Sequence, residues 1–215
     1  MKRTFRIILK LLTWTGLFLI VLLSGCYLWV KSSWSDIITV KQLNQLTSDI
    51  KEVQAIPDNF KKTLTQVYPD IFDKGLNGHA LDQLLTDKDY QPCPCRQVAM
   101  MLRIDYTKAK RIVRNFYPAS LTWAVEERVS QEQCMAYYLE NFDFTHGVLG
   151  IHHASDYYFN NQLENLSIEQ QLELILKLKN PYLYDKKKRP ELYNKKLTEL
   201  KEKQLATTTA IPHAH

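Results

Sequence analysis

The 215-residue sequence has few strand signals, no internal repeat, and neither a nucleic-acid motif nor a basic-aromatic array. These absences set nucleic acid aside as a partner and leave a predominantly α chain. Cysteine is scarce, at positions 26, 93, 95 and 134 only. Cys93-Pro94-Cys95 is too tight for the usual zinc spacing of two to four intervening residues, and no paired histidine motif accompanies it. His146, His152 and His153 likewise show no partner spacing, so no metal and no cofactor is assigned. In an oxidising compartment Cys134 can pair with Cys93 or with Cys95; free buried thiols are the other reading. What the chain does have is ordinary for a globular fold, 45% hydrophobic and 24% charged residues. A net charge of +5 suits anionic lipid headgroups, pyrophosphate or polymer, or is simply a solvated surface.

The longest charge-free run is Leu11 to Val30. Twenty apolar residues cross a hydrocarbon layer of about 30 Å as a helix. Lys2, Arg3, Arg6 and Lys10 precede the run, which predicts a cytoplasmic N-terminus and the remainder outside. Trp29 and Trp34 fall where indole rings settle at the far interface. A rival reading stands beside this one. Leu23-Ser24-Gly25-Cys26 matches a lipoprotein cleavage box, which would leave Cys26 lipidated, although Tyr27 to Val30 continues the apolar run past it. Both readings place the domain on the outer side of a bacterial membrane.

The expected organisation is a basic segment over 1–10, an anchor over 11–30, a connector over 31–55, one domain over 56–203 and a disordered tail over 204–215. Phe60, Leu64 and Val67 recur at helical spacing until Tyr68-Pro69 interrupts them. Gly75 and Gly78 mark a loop, and His79 reads as ordinary surface. A short helix follows over Ala80 to Leu85, then a polar connection from Asp87 to Pro94. Helices are expected over Arg96 to Met101 and from Thr107 to Tyr117, with Pro118 breaking or kinking the second and Ser120 capping the next. Ser130 with Gln133, and Ser167 with Gln170, read as capping boxes. Ala154 and Ser155 suit close packing. Lys186 to Arg189 reads as a solvated charge run, and Pro190 to Lys203 as a terminal helix.

One stretch carries a resemblance. Val125-Glu126, Ser130-Gln131 and Tyr138-Leu139-Glu140 occur in register, followed by Phe144, Gly147-Val148, Gly150-Ile151, Ala154-Ser155, Tyr158-Phe159, Leu163, Leu166-Ser167 and Gln170. Asn180-Pro181 and Pro190-Glu191 come after. This ordered set resembles the second half of a glycosyltransferase family 51 domain, which polymerises lipid-linked disaccharide into peptidoglycan. The resemblance implies a mainly α, lysozyme-like helical domain behind an N-terminal transmembrane helix. It implies a single-pass protein of the bacterial inner membrane with its domain in the periplasm. Its partners would be a lipid-linked disaccharide precursor or glycan strand, the membrane, and other cell-wall synthesis proteins. Most of the matching positions are packing, capping and turn residues, so they speak for fold before activity. Tyr138 and Phe144 read as core aromatics and Glu126 as structural.

Glycan polymerisation needs a carboxylate to take the proton of an attacking sugar hydroxyl, and positive groups to steady the departing pyrophosphate. The family supplies the base from an E-D-x-x-F motif and a second glutamate from an R-K-x-x-E motif. The first motif best matches Tyr68-Pro69-Asp70-Ile71-Phe72, and the second Arg114-Asn115-Phe116-Tyr117-Pro118. Tyr68 and Pro118 thus stand at the two expected glutamate positions. A phenol with an ordinary pKa of about 10 is a poor base at neutral pH. Asp70 is a substitute candidate, with His79, Glu126 and Glu127 as further ones. Arg114, Gln97 and Arg96, with Lys110, are the residues expected to bind pyrophosphate or anionic glycan. The resemblance therefore implies a glycosyltransferase-like protein that is weakly active or inactive. The alternatives are a polymerase with relocated acids, or a non-catalytic interaction module or lipoprotein.

Overall fold

The computed structural model describes residues 2–86, 91–102, 111–145 and 147–210. Lys110, His146 and the His213-Ala214-His215 ending lie outside these residues, as do most of the Asp87 connection and the start of the helix expected from Thr107. Among the described residues the architecture is ten α-helices with two short 3-10 turns. The only non-helical pairing there is an isolated antiparallel bridge between Asp143 and Leu149.

Helix α1 spans Lys2–Ser32, so the basic segment and the apolar run form one element. Leu11 to Trp29 are exposed along its whole surface, as a helix meant for lipid must be. At its C-terminal end it is clamped to α6 (Arg111–Glu126). The Ser120 hydroxyl accepts the Trp34 N–H at 2.7 Å and donates to the Lys31 carbonyl at 3.1 Å. Ser120 does not cap the helix after Pro118 as expected. It satisfies orphan backbone groups where α1 ends, which is the same chemistry applied to a distant chain segment. Lys31 pairs with Glu127 at 2.7 Å, and the Tyr27 ring meets Trp123 edge-on at 5.2 Å.

Pro118 neither breaks nor ends α6; the helix runs through it. An interior proline costs about 3 kcal/mol. Burial of Tyr117, Leu121, Ala124 and Val125 on the inner face offsets that cost.

The core begins earlier than the expected domain start at 56. Helix α2 (Val40–Glu52) opens with a Thr39–Gln42 capping box and sends Leu43, Leu46 and Ile50 into the same cluster as the rest. Residues 38–55 therefore belong to the folded body as well as connecting it. Helix α3 (Asp58–Val67) buries Phe60, Leu64 and Val67 and stops at Tyr68. Helix α4 (Leu76–Leu85) starts four residues before the expected point, because Gly75 is its N-cap and Gly78 is helical. Glu126 replaces a capping side chain there. Its Oε1 accepts the Leu76 N–H at 2.7 Å and a Gln131 amide N–H at 2.7 Å. A Cβ on residue 75 would lie 2.9 Å from that oxygen, so a side chain there would push the Glu126 carboxylate off the helix start.

Helix α5 (Pro94–Met101) begins with proline at a position whose N–H would be unpaired anyway. The Cys95–Cys134 disulfide joins it to α7 (Gln131–Asn141). Both expected capping boxes are present. Ser130 accepts the Gln133 N–H at 3.1 Å, and Ser167 accepts the Gln170 N–H at 3.3 Å. Helix α8 (Ile151–Phe159) follows Gly150 at φ +86, where a Cβ would meet the Glu140 carbonyl at 2.9 Å. Ala154 and Ser155 are fully buried on it. Helix α9 (Ile168–Lys179) precedes an exposed turn bearing Lys186 to Arg189.

The last helix, α10, spans Pro190–Ala210 and does not stop at Lys203. Gln204 is buried and donates to Gln66 of α3 at 3.0 Å, while Gln66 donates to Thr208 at 3.0 Å. Residues 204–210, expected to be tail, are held by this amide–hydroxyl network.

Candidate functional site

A groove of about 1140 Å³ lies among α3, α7, α9 and α10. Its walls divide by chemistry. Leu64, Met135, Phe142 and Ile175 supply apolar surface, with Tyr68 and Tyr138. Lys179, Lys196, Glu199, Glu202 and Lys203 supply charge, and Pro92 with Gln97 close one side. Helical geometry explains the charged wall, since residues 196, 199, 203 and 206 recur at three- and four-residue spacing on one face of α10. Lys179 Nζ stands 5.7 Å from the Tyr68 ring centroid, within cation–π reach. Lys196 and Glu199 form an ion pair at 2.6 Å, and the Lys196 ammonium holds the Glu199 carboxyl below its ordinary pKa. Three lysines against two glutamates leave the groove net positive, suited to an anionic ligand with an apolar part.

The structure distributes the candidate residues unevenly. Tyr68 caps α3, is buried, and forms groove wall. Gln97 lines the groove too. Pro118 sits inside α6 and is not part of the groove lining. Arg114 and Arg96 are exposed and do not line it.

Nor do the substitute acids. Asp70 pairs with Lys74 at 2.9 Å, and Lys74 also binds Asp82 at 2.6 Å. Glu126 is spent on the α4 N-terminus and Gln131, as its structural reading expected, and Glu127 on Lys31. His79 corrects an expectation: it is not loop surface but the inner face of α4, 8% exposed. Desolvation holds its imidazole below the ordinary pKa, outweighing the opposite pull of Asp70 and Asp82. Phe144 is fully buried in the core, whereas Tyr138 is both core and groove wall.

The α10 residues were missed because its alternating charge reads as a solvated helix. The one available signal was Gln204 continuing the buried face set by Leu197 and Leu200. Among the described residues no cluster of three His, Cys, Asp or Glu side chains could hold a metal ion.

A mainly α domain, with an apolar N-terminal helix long enough to cross a membrane and a positive amphipathic groove, is the class defined so far. Comparison with known proteins makes it specific. A family model described as Transglycosylase matches residues 95–211, more than half of the chain, and the protein belongs to that family. It is also similar to a biosynthetic peptidoglycan transglycosylase of Acinetobacter baylyi, with 26% identity over 163 residues, covering 70% of this chain and 68% of that one.

Proposed function

We propose that this protein is a membrane-anchored, peptidoglycan glycosyltransferase-like protein of cell-wall assembly. It binds lipid-linked disaccharide precursor or glycan strand in the α3/α7/α9/α10 groove, outside the inner membrane, with weak or no polymerase activity. The observation that carries this reading is Tyr68. It forms groove wall, and on the reading of Tyr68-Pro69-Asp70-Ile71-Phe72 as the counterpart of the family's E-D-x-x-F motif it would stand at the proton-accepting glutamate's position. Transfer would join a sugar 4-hydroxyl to the anomeric carbon of a second sugar, with lipid pyrophosphate leaving and the hydroxyl proton passing to a base. A neutral phenol does not take that proton at pH 7, whereas the groove lysines still attract the pyrophosphate. Purified full-length protein mixed with lipid-linked disaccharide is expected to bind it without extending it, and Lys179→Ala to weaken binding. Robust polymerisation that Asp70→Ala abolishes would overturn this reading.

One observation favours a second reading, polymerisation with relocated acids. Two carboxylates do line the groove, Glu199 and Glu202, both from α10. Glu199 is tied to Lys196, which leaves Glu202 as the freer base. Turnover lost in Glu202→Gln and kept in Asp70→Ala would select it.

A further inference from the structure

A second hollow, of about 780 Å³, shares no lining residue with the groove. It opens where α8 gives way to the 3-10 turn Leu163–Asn165, and Gln54, two residues past α2, completes it. Amides dominate the lining: Gln54, Asn160, Asn161, Gln162 and Asn165. The Asp156 and Glu164 carboxylates and the His152 imidazole add further polar atoms. Leu163 is its one apolar residue and is buried, and among the described residues no lysine, arginine or aromatic side chain takes part.

The loop that carries these groups is held by its own backbone bonds. Asn160 ends α8 in the left-handed region at φ +48, with its N–H on the Asp156 carbonyl at 2.7 Å. The buried Ser155 hydroxyl donates to the Asn161 carbonyl at 2.6 Å. The Asn161 side chain donates to the Asn165 carbonyl at 3.2 Å and accepts the Gln162 N–H at 2.9 Å. Asn59 of α3 donates to the Glu164 carbonyl at 2.7 Å. Asn161 is thus used up in building the loop. The side chains of Gln54, Asp156, Asn160, Gln162 and Glu164 have no hydrogen bond or ion pair among the described residues, so a fixed frame presents unpaired planar polar groups. Such preorganisation lowers the cost of binding.

The lining selects its ligand by chemistry. Two carboxylates with no cation among them repel an anion, the opposite of the groove. A surface without exposed apolar or aromatic side chains gives an apolar ligand or a peptide side chain nothing to bury. Each amide offers two N–H donors and a carbonyl acceptor, and each carboxylate accepts only. Hydroxyl groups, which both donate and accept, satisfy that set. We propose that this hollow is a second glycan contact, binding the uncharged, hydroxyl-bearing face of a saccharide strand at a place separate from the groove. Its volume falls in the range of about 300–1,000 Å³ usual for small-ligand sites. The choice of glycan over another polyol rests on the peptidoglycan reading of the chain.

The probe is the tetramer of N-acetylglucosamine, which carries no lipid, pyrophosphate or charge. It is titrated into full-length protein in nanodiscs and followed by saturation-transfer NMR. Binding is expected for the wild type and should weaken about tenfold or more in Asp156→Ala/Asn160→Gly. Asn160→Gly removes the amide while keeping a residue at ease at φ +48. Both positions are exposed, so the fold is expected to survive, checked by circular dichroism. No tetramer binding by the wild type overturns the proposal, and so does binding that the double variant keeps in full. A response to calcium, or to an acidic alanine-rich peptide, with none to the tetramer overturns glycan as the ligand. Protein that ignores lipid-linked disaccharide, yet binds the tetramer in a manner lost in the double variant, supports the second site and takes down the groove reading alone.

Discussion

Breaking the Cys95–Cys134 bridge tests the packing of α5 on α7 and the compartment at once. The two cysteines are 39 residues apart, with Cα atoms at 4.9 Å, and both are fully buried. Closing a loop of that length restricts the unfolded chain by about 4 kcal/mol on the chain-entropy account. For a domain of this size that corresponds to a Tm shift of roughly 8–16 °C. The measurement is thermal unfolding of the full-length protein in detergent, followed by circular dichroism, oxidised against fully reduced. Reduction keeps every atom of packing but the bond, so it avoids the cavity that Cys95→Ala/Cys134→Ala would add. Peptide mapping of the oxidised sample should find Cys95 joined to Cys134. Cys93, two residues before Cys95 in sequence, is the competing thiol during folding; in the folded protein it is buried, 3.7 Å from the Gln131 amide oxygen. Burial pushes its pKa up to about 12, so once folded it has almost no thiolate with which to attack the bridge. Oxidised and reduced protein melting together, or a Cys93–Cys134 linkage, would refute the reasoning. Formation of the bridge in cells also fits a domain outside the cytoplasm.

Cys93 itself should resist alkylation at pH 8 in the native protein and react on unfolding, as read by intact mass. His79 carries a pH prediction. Its folded pKa is depressed, so below the unfolded value of about 6.5 the unfolded chain binds a proton that the folded one refuses. Stability should therefore fall as pH drops from 7 through that window, and His79→Gln should flatten the fall in denaturant midpoint. Glu126→Ala strips the α4 N-terminus and Gln131 of a charged acceptor, at a cost of about 2–4 kcal/mol in urea unfolding; an unchanged midpoint would show that water substitutes for it.

Much of the fold was legible because it is local. Ser130 with Gln133 and Ser167 with Gln170 announce helix starts within four residues, and the structure has both boxes. Phe60, Leu64 and Val67 give α3 its buried face by period alone. The misreadings share a cause, a local signal overridden by a distant partner. Ser120 looked like a cap for its own helix and instead serves the end of α1, more than 80 residues away in sequence. Of the two readings of Pro118, a break or a kink, the break does not occur, since the helix around it is held by buried neighbours. Gln204 and Thr208 looked like tail until Gln66 supplied their partner. The groove was the least legible part, since its charged wall comes from α10 while Tyr68 comes from α3, and no spacing in the sequence links them.

The same structure explains why likeness to the family is firmer for the C-terminal half than for the chemistry. Gly150 cannot take a side chain without meeting the Glu140 carbonyl. Ala154 has no exposed surface, and Ser155 is both buried and bonded to the Asn161 carbonyl at 2.6 Å. Replacing any of them forces backbone or core to move, so the fold itself holds these residues in place. The positions assigned to chemistry are held differently: Tyr68 is buried but also faces the groove, and Pro118 is only partly buried. A tyrosine at 68 adds apolar wall to a groove and gains Lys179 over its ring, and a proline at 118 is absorbed by α6. A glutamate at position 68 would have to bring a charge into that buried wall, an expense only an active site has reason to bear. Tyr68→Glu thus separates scaffold from function. If the groove still supports transfer, the substitution should create polymerase activity at some loss of stability. If that route is closed, stability falls and no product appears.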